Sequence, residues 1–518
     1  MQDKSDSSSL EKSICEKSSS EKSIRDESAG SDTARLIQAI GRWAGPVAAG
    51  LVFLLLTGLA PDLKFAGRAT AAGGTLMAIW WMTEALPLPV TALLPLVFFP
   101  LTGVLTMTEA ATPYADKNIY LFFGGFLIAL AVERWNLHRR LALLTVLAVG
   151  TRPDRLIGGL MLATALTSMW ISNTATAAMM LPIGMSLTAL LSDHLVHRLD
   201  PVDAAREQRA FATNVLLGIA YAASIGGLGT PVGTPTNIAL FGFLTDQNIT
   251  LSFSTWMLIS VPLVLVYIAV TWWLLTRWIN PLQVTDLPGG RELIRHELRQ
   301  LGPPKRAEWI CLGVFVATAL AWVLREPLWG TRIDDTLIAM VGALSLFFIP
   351  VDRSRKIYAL DWSIAEKMPW GILLLFGGGF SLTNAMTKSG LTDWLGHQLV
   401  VLQSLPAWLV VLLSVALVIY TTELTSNTPT ILAFLPILYS LSAGLRMDPL
   451  LLLVPATWAS SCAFMLPVGT PPNAIVFATG KVAIHDMIRA GWWLNLIGIV
   501  LITITILLVG PWLRGIPS

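Results

Sequence analysis

Ser172-Asn173-Thr174 and Ser426-Asn427-Thr428 repeat one tripeptide, and each copy sits in an apolar stretch too polar at that point for an ordinary membrane span. About the same offset separates Leu121-Phe122-Phe123-Gly124-Gly125-Phe126 from Leu375-Phe376-Gly377-Gly378-Gly379-Phe380. Downstream, Pro231-Val232-Gly233-Thr234-Pro235-Thr236-Asn237 pairs with Pro467-Val468-Gly469-Thr470-Pro471-Pro472-Asn473. A lone triplet of this kind is ordinarily helix-packing polarity or a kink. Three motifs in one order instead divide the chain into two related halves, a first repeat over about 70–250 and a second over about 335–485. Paired repeats with interrupted hydrophobic segments are the pattern of a secondary transporter's central binding site.

Hydrophobic residues make up 54% of the 518 and charged residues 13%. Successive apolar runs of roughly 18 residues or more predict an all-α polytopic membrane protein with one integral domain over about 36–518. The net charge is +2, with basic residues spread among loops, which gives no footprint for nucleic acid. Cys15, Cys311 and Cys462 lie far apart without metal or redox spacing. Residues 1–35, rich in Ser, Lys and Glu and repeating Glu-Lys-Ser, read as a disordered, solvated tail without the apolar core of a signal peptide.

Eleven spans are expected, near 45–60, 70–83, 86–105, 118–133, 211–243, 254–276, 308–324, 335–350, 370–386, 448–480 and 491–513. The stretches near 156–190 and 405–441 hold the tripeptides. Read as re-entrant hairpins, they sort the loop charges. Arg134, Arg139, Arg140, Arg152 and Arg155, then Arg198, Arg206 and Arg209, then Arg277 to Arg306, then Arg353, Arg355, Lys356 and Lys367 fall on one side. The other side, around Lys64, Lys117, Arg332, Lys388 and Arg446, is poorer in basic residues. The positive-inside bias then puts the N-terminus in the cytoplasm, the C-terminus outside and the repeats in inverted orientation. The segment 192–208, part of an excess of about 18 residues in the first half, reads as a cytoplasmic loop.

At each hairpin tip, the Ser and Thr hydroxyls and the Asn amide offer both donors and acceptors. Helix N-termini starting there aim free N–H groups into a chamber, which suits an anion. The side-chain oxygens, with carbonyls freed where Gly233-Thr234-Pro235 and Gly469-Thr470-Pro471-Pro472 unwind their helices, suit a small hard cation such as sodium. Neither the tripeptide stretches nor the Gly-Thr-Pro stretches contain Arg or Lys, so a bound anion depends on neutral donors and co-bound cations. The Phe-Gly-Gly-Phe motifs read as close helix packing, Trp80-Trp81, Trp272-Trp273 and Trp492-Trp493 as interface anchors, and Glu84 as interfacial. Glu423, three positions before Ser426, is an intramembrane carboxylate open to a structural or a functional role; it aligns with Met169. An enzyme reading has no support: His296-Glu297 lacks the second histidine of a zinc-protease helix, and Gly226-Gly227-Leu228-Gly229 has the wrong setting for a nucleotide fold.

From about Gly45 onward the chain resembles the divalent anion/sodium symporter family, the sodium-coupled dicarboxylate, citrate and sulfate carriers. The likeness rests on the paired tripeptides, on Trp81-Met82-Thr83-Glu84-Ala85-Leu86-Pro87-Leu88-Pro89-Val90-Thr91, and on the segment from Ser461 to Val476. The resemblance implies a homodimer with eleven transmembrane helices and two re-entrant hairpins per protomer, working as an elevator-type transporter in the inner (plasma) membrane. It implies a sodium site at Ser168, Ser172, Asn173 and Gly233 and a second at Thr422, Ser426, Asn427 and Gly469, with no organic cofactor. It places the substrate's carboxylates against Ser172, Asn173, Thr174, Ser426, Asn427 and Thr428, beside Thr470 and Pro471. Pro429 and Gly469 depart from the family pattern, which commonly has Ala at both. The expected activity is sodium-coupled import of C4 dicarboxylates such as succinate, malate or fumarate. Dicarboxylate exchange, sulfate or citrate transport, an anion channel and a membrane-bound sensor are the competing readings.

Overall fold

A computed structural model describes residues 36–149, 152–195, 200–284, 289–330, 332–398 and 403–513. The tail 1–35 lies outside the described residues. Helices dominate, and the one sheet among the described residues is a two-stranded antiparallel ribbon, Pro350–Asp352 with Ile357–Tyr358. Among the described residues, eight helices are long and apolar enough to cross a bilayer: Leu36–Leu59, Met107–Arg134, Asn173–Leu195, Pro201–Gly227, Phe253–Ile279, Arg306–Arg325, Asn427–Leu445 and Ile484–Leu513. The chain is a multi-pass integral membrane protein. Other expected spans are shorter or more dilute. Asp335–Phe348 has 14 residues, and Phe65–Met82 and Trp370–Lys388 have the length but interleave glycines and hydroxyl side chains.

Burial separates the bundle's rim from its centre. Only 17% of the apolar window of Leu36–Leu59 is covered by protein, whereas 94% of that in Pro201–Gly227 is. The central helix starts ten residues before the expected span, at Pro201, so polar residues read as loop are helical. Pro201 pre-sets φ in the first turn. Glu207 is buried here, and its carboxylate accepts the Gln283 N–H at 3.1 Å and the Val284 N–H at 3.4 Å, which ties the helix to the next connection.

Ion pairs sort the loops into two sets. One joins Arg134 to Asp361, Arg139 to Glu297, Arg140 to Glu308, Arg277 to Asp154 and Arg209 to Asp486; the other joins Lys117 to Asp334 and Lys388 to Glu109. These sets follow the division into basic and less basic loops drawn from the sequence. Arg140 and Glu308 are both largely buried and paired through two N···O contacts of 2.5 and 3.2 Å.

The glycine motifs pack as expected. A Cβ on Gly124 would sit 2.8 Å from the Ala339 backbone, and one on Gly378 would sit 2.4 Å from the Ala92 carbonyl oxygen. Trp81 corrects the anchor reading: it is fully buried, with its indole N–H directed at the Leu88 carbonyl, whereas Trp273, Trp492 and Trp493 remain exposed. Glu84 is exposed at a left-handed turn (φ 48°) after Phe65–Met82. Cys311 and Cys462 are buried free thiols. Gly378→Val is expected to cost about 1–3 kcal/mol or more through backbone overpacking, read as a lower thermal midpoint in detergent, with Gly313→Val, which meets nothing within 4 Å, as the silent control.

Candidate functional site

Each tripeptide caps the second leg of a helical hairpin. Pro153–Ser168 and Asn173–Leu195 are joined by four residues, as are Ala407–Thr422 and Asn427–Leu445. The Ser172 carbonyl accepts the Thr176 N–H and the Ser426 carbonyl the Thr430 N–H, which starts each second helix at the asparagine. The Ser172 hydroxyl also accepts the Ala175 N–H at 3.2 Å. Pro429 occupies the corresponding position in the second hairpin and has no N–H, so Ser426 makes no side-chain cap bond. The Ser426 hydroxyl is thereby left for another partner. Ser172 and Thr174 are exposed, and Asn173, Ser426, Asn427 and Thr428 half-buried.

Behind each tip, oxygens outnumber protons. Ser168 Oγ lies 2.7 Å from Asn173 Oδ1 and 2.7 Å from the Ala223 carbonyl oxygen. Thr422 Oγ1 lies 2.8 Å from Asn427 Oδ1 and 2.8 Å from the Ser460 carbonyl oxygen. One hydroxyl proton serves two acceptors in both places. Gly227 allows this approach, since a Cβ there would stand 2.6 Å from Asn173 Oδ1.

The third element of each cluster is a broken helix. Pro201–Gly227 stops and resumes as Pro235–Asp246, and Leu450–Ser460 stops and resumes as Pro471–Phe477, with the breaks where Gly-Thr-Pro was expected to unwind them. Thr234 (φ −143°, ψ 146°) and Thr470 (φ −143°, ψ 149°) share one extended conformation before the restart. Asn237 Nδ2 donates to the carbonyls of Gly227 and Thr230 at 3.0 and 2.7 Å; Asn473 Nδ2 donates to those of Ala463 and Leu466 at 3.0 Å each. The Gly233 and Gly469 N–H groups each close a turn of 3.2 Å onto Thr230 and Leu466. A Cβ on Gly233 would lie 2.5 Å from the Gly227 carbonyl oxygen and 2.9 Å from that of Met169, so two carbonyls converge on this glycine. Asn237 Oδ1 and Asn473 Oδ1 are buried without a partner. Thr470 accepts the Asn473 N–H at 3.3 Å, and Pro471 is exposed beside it.

The elements interlock crosswise. Pro471–Phe477 packs on Asn173–Leu195, and Pro235–Asp246 packs on Asn427–Leu445, so each broken helix lends its second half to the other hairpin. Thr236 and Ser461 hydroxyls meet at 2.9 Å where the breaks pass. No hydrogen bond among the described residues joins one tip directly to the other. Sequence reasoning missed Thr236, Ser461 and the Ala223 and Ser460 carbonyls. Asn237 and Asn473 closed the repeated motif in both copies, which was their only signal. An apolar cavity of about 580 Å³ lies beside the first turn, against Thr167, Trp170 and Ile171, and does not reach the tripeptides.

A family profile described as the sodium:sulfate symporter transmembrane region matches residues 44–516. The chain belongs to this symporter family. Among curated relatives, the sodium-dependent dicarboxylate transporter SdcS of Staphylococcus saprophyticus is 40% identical over 487 residues, which cover 92% of both chains. SdcS of Staphylococcus aureus strain USA300 is 39% identical over 488 residues, with the same coverage. Among solved structures, the Alcanivorax borkumensis YdaH transporter aligns with a TM-score of 0.50 at 17% identity over 79% of this chain and 88% of that one. That likeness is one of fold. The family and these relatives are transporters, not enzymes.

Asn237→Ala and Asn473→Ala each remove two hydrogen bonds to carbonyls at the helix breaks. Each is expected to cost about 1–3 kcal/mol and to lower the thermal midpoint of the sodium-free protein by similar amounts. A loss at only one of the two positions would show that the matching bonds are not equivalent in strength.

Proposed function

We propose that this symporter-family member is a sodium-coupled importer of C4 dicarboxylates such as succinate, malate and fumarate. The observation that carries the proposal is the pair of oxygen-rich, proton-poor clusters behind the tripeptides. A sodium ion ligated by neutral oxygens supplies the positive charge that such a cluster lacks. One ion takes Ser168, Ser172, Asn173 and the carbonyl of Gly233; the other takes Thr422, Ser426, Asn427 and the carbonyl of Gly469. The dianion lies between the tips, against Ser172, Asn173, Thr174, Ser426, Asn427 and Thr428, beside Thr470 and Pro471. Exposed helix N-termini and the two ions then do the work of the absent Arg and Lys. Substrate affinity follows sodium because the ions and the anion share Ser172, Asn173, Ser426 and Asn427. The names of the SdcS relatives support both sodium and dicarboxylate.

The first legs of both hairpins have 16 residues, about 24 Å of helix against a hydrocarbon core of about 30 Å. First legs this short, each turning back through a four-residue link at a polar tripeptide, support tips inside the bilayer and re-entrant hairpins in inverted repeats. With the basic loops inside, the N-terminus is cytoplasmic and the protein spans the plasma (inner) membrane. The hairpins and broken helices form a unit that carries substrate across by an elevator motion, against a scaffold through which two protomers pair.

Purified protein in liposomes with an inward sodium gradient is expected to accumulate radiolabelled succinate, with cold dicarboxylates competing better than sulfate or citrate, and a potassium gradient is expected to give none. Exchange in succinate-loaded liposomes without net sodium-driven uptake would replace symport by exchange. Asn173→Ala and Asn427→Ala should each raise the sodium concentration for half-maximal uptake at least fivefold; wild-type sodium activation in both would refute the site assignment.

A further inference from the structure

The two clusters share the bonds of Ser168 and Thr422 and of Asn237 and Asn473, but only the second holds a charge. Glu423 is 3% exposed, in the turn of the second hairpin, where the first has Met169. Its Oε1 accepts the Phe464 N–H at 2.7 Å, the Met465 N–H at 3.0 Å and Asn495 Nδ2 at 2.7 Å; its Oε2 accepts the Met465 N–H at 3.1 Å and the Leu466 N–H at 3.2 Å. Both oxygens act only as acceptors, which is the pattern of an ionised carboxylate. No ion pair of Glu423 is found among the described residues.

The loop that Glu423 grips is the break of the second helix, between Ser460 and Pro471. Its other ties are neutral: the Tyr221 hydroxyl donates to the Phe464 carbonyl at 2.9 Å, and Asn473 holds the carbonyls of Ala463 and Leu466. The corresponding loop of the first helix has neutral ties alone, from Thr230 to the Met169 carbonyl, from Trp256 Nε1 to the Leu228 carbonyl at 3.0 Å, and from Asn237. The carboxylate also reaches the glycine of its own cluster, since a Cβ on Gly469 would lie 3.4 Å from Glu423 Oε2. A buried anion within reach of a cation site, with only N–H dipoles against it, favours a cation there more strongly than neutral oxygens do.

We propose that Glu423 is a positioning residue that holds the Phe464–Leu466 backbone in place and gives the second sodium site the higher affinity, so that sodium fills this site before the first. The inference rests on the sodium-symport reading. Removal of the charge weakens sodium binding even when the fold is kept. The Gln amide turns one acceptor into a donor facing N–H groups, whereas Asp keeps the charge on a shorter arm.

The experiment is a sodium titration of the thermal midpoint of purified full-length protein at constant ionic strength, with potassium as the balancing ion, for wild type, E423Q and E423D. A ligand that binds only the folded state raises the midpoint as its concentration passes its Kd. Wild type is expected to show sodium-specific stabilisation. E423Q is expected to need about tenfold more sodium for the same effect, and E423D, which keeps the charge but draws it back from the loop, about threefold more. Should E423Q not purify as folded protein, the same test falls to E423D, which must then need more sodium than wild type. Sodium titrations unchanged in E423Q, or in E423D where E423Q does not fold, would overturn the proposal, even with a lower sodium-free midpoint, because Glu423 would then be purely structural. Absence of sodium-specific stabilisation in wild type would instead remove the sodium-symport reading itself, and Glu423's role with it.

Discussion

A helix broken inside a membrane leaves carbonyl and N–H groups that no water can satisfy, and the rest of this structure is arranged around that constraint. Two helices are broken, between Gly227 and Pro235 and between Ser460 and Pro471. Asn237 and Asn473 each reach back across the gap to bind two of the freed carbonyls. The Thr422 hydroxyl takes the carbonyl of Ser460 at the end of one broken helix, and the Ser168 hydroxyl bonds the carbonyl of Ala223 in the last turn of the other. Satisfaction stops short of completeness in the same place twice: the amide oxygens of Asn237 and Asn473 have no partner. A polar shell that is nearly but not fully paired, in the best-covered part of the bundle, is stable as scaffolding and available for ligation.

The breaks and tips were legible in the sequence because backbone chemistry writes itself into residue type. Gly-Thr-Pro marks a helix that cannot continue, and a Ser-Asn-Thr triplet in an apolar run marks an N-cap. The crosswise packing was not legible. That Thr236 meets Ser461 depends on the rotation of two distant helices, and a single hydroxyl in an apolar run gives no hint of its partner. Trp81 shows the reverse difficulty: paired with Trp80 it reads as an interfacial anchor, yet the turn at Glu84 folds Leu88–Thr91 back over it and buries it. The start of the central helix at Pro201 was hidden by its polar residues, among them Glu207, whose partners are backbone N–H groups more than 70 positions away.

The halves are alike in backbone and unlike in chemistry. Pro429 deprives Ser426 of the cap bond that Ser172 makes to Ala175. Glu423 replaces Met169 and puts a carboxylate where the first half has a thioether. The first leaves the Ser426 hydroxyl oxygen without the N–H that Ser172 accepts, and the second adds a negative charge. Duplication thus supplies two frames of the same shape, and a few substitutions set how strongly each one attracts a cation.

Whether the two clusters hold sodium is answered most directly by experimental structures determined in sodium and in potassium. The account predicts one sodium-dependent density in each cluster, the first against Asn173 and the Gly233 carbonyl, the second against Asn427 and the Gly469 carbonyl. Clusters that look the same in both salts, or sodium-dependent density elsewhere in the bundle, would contradict it.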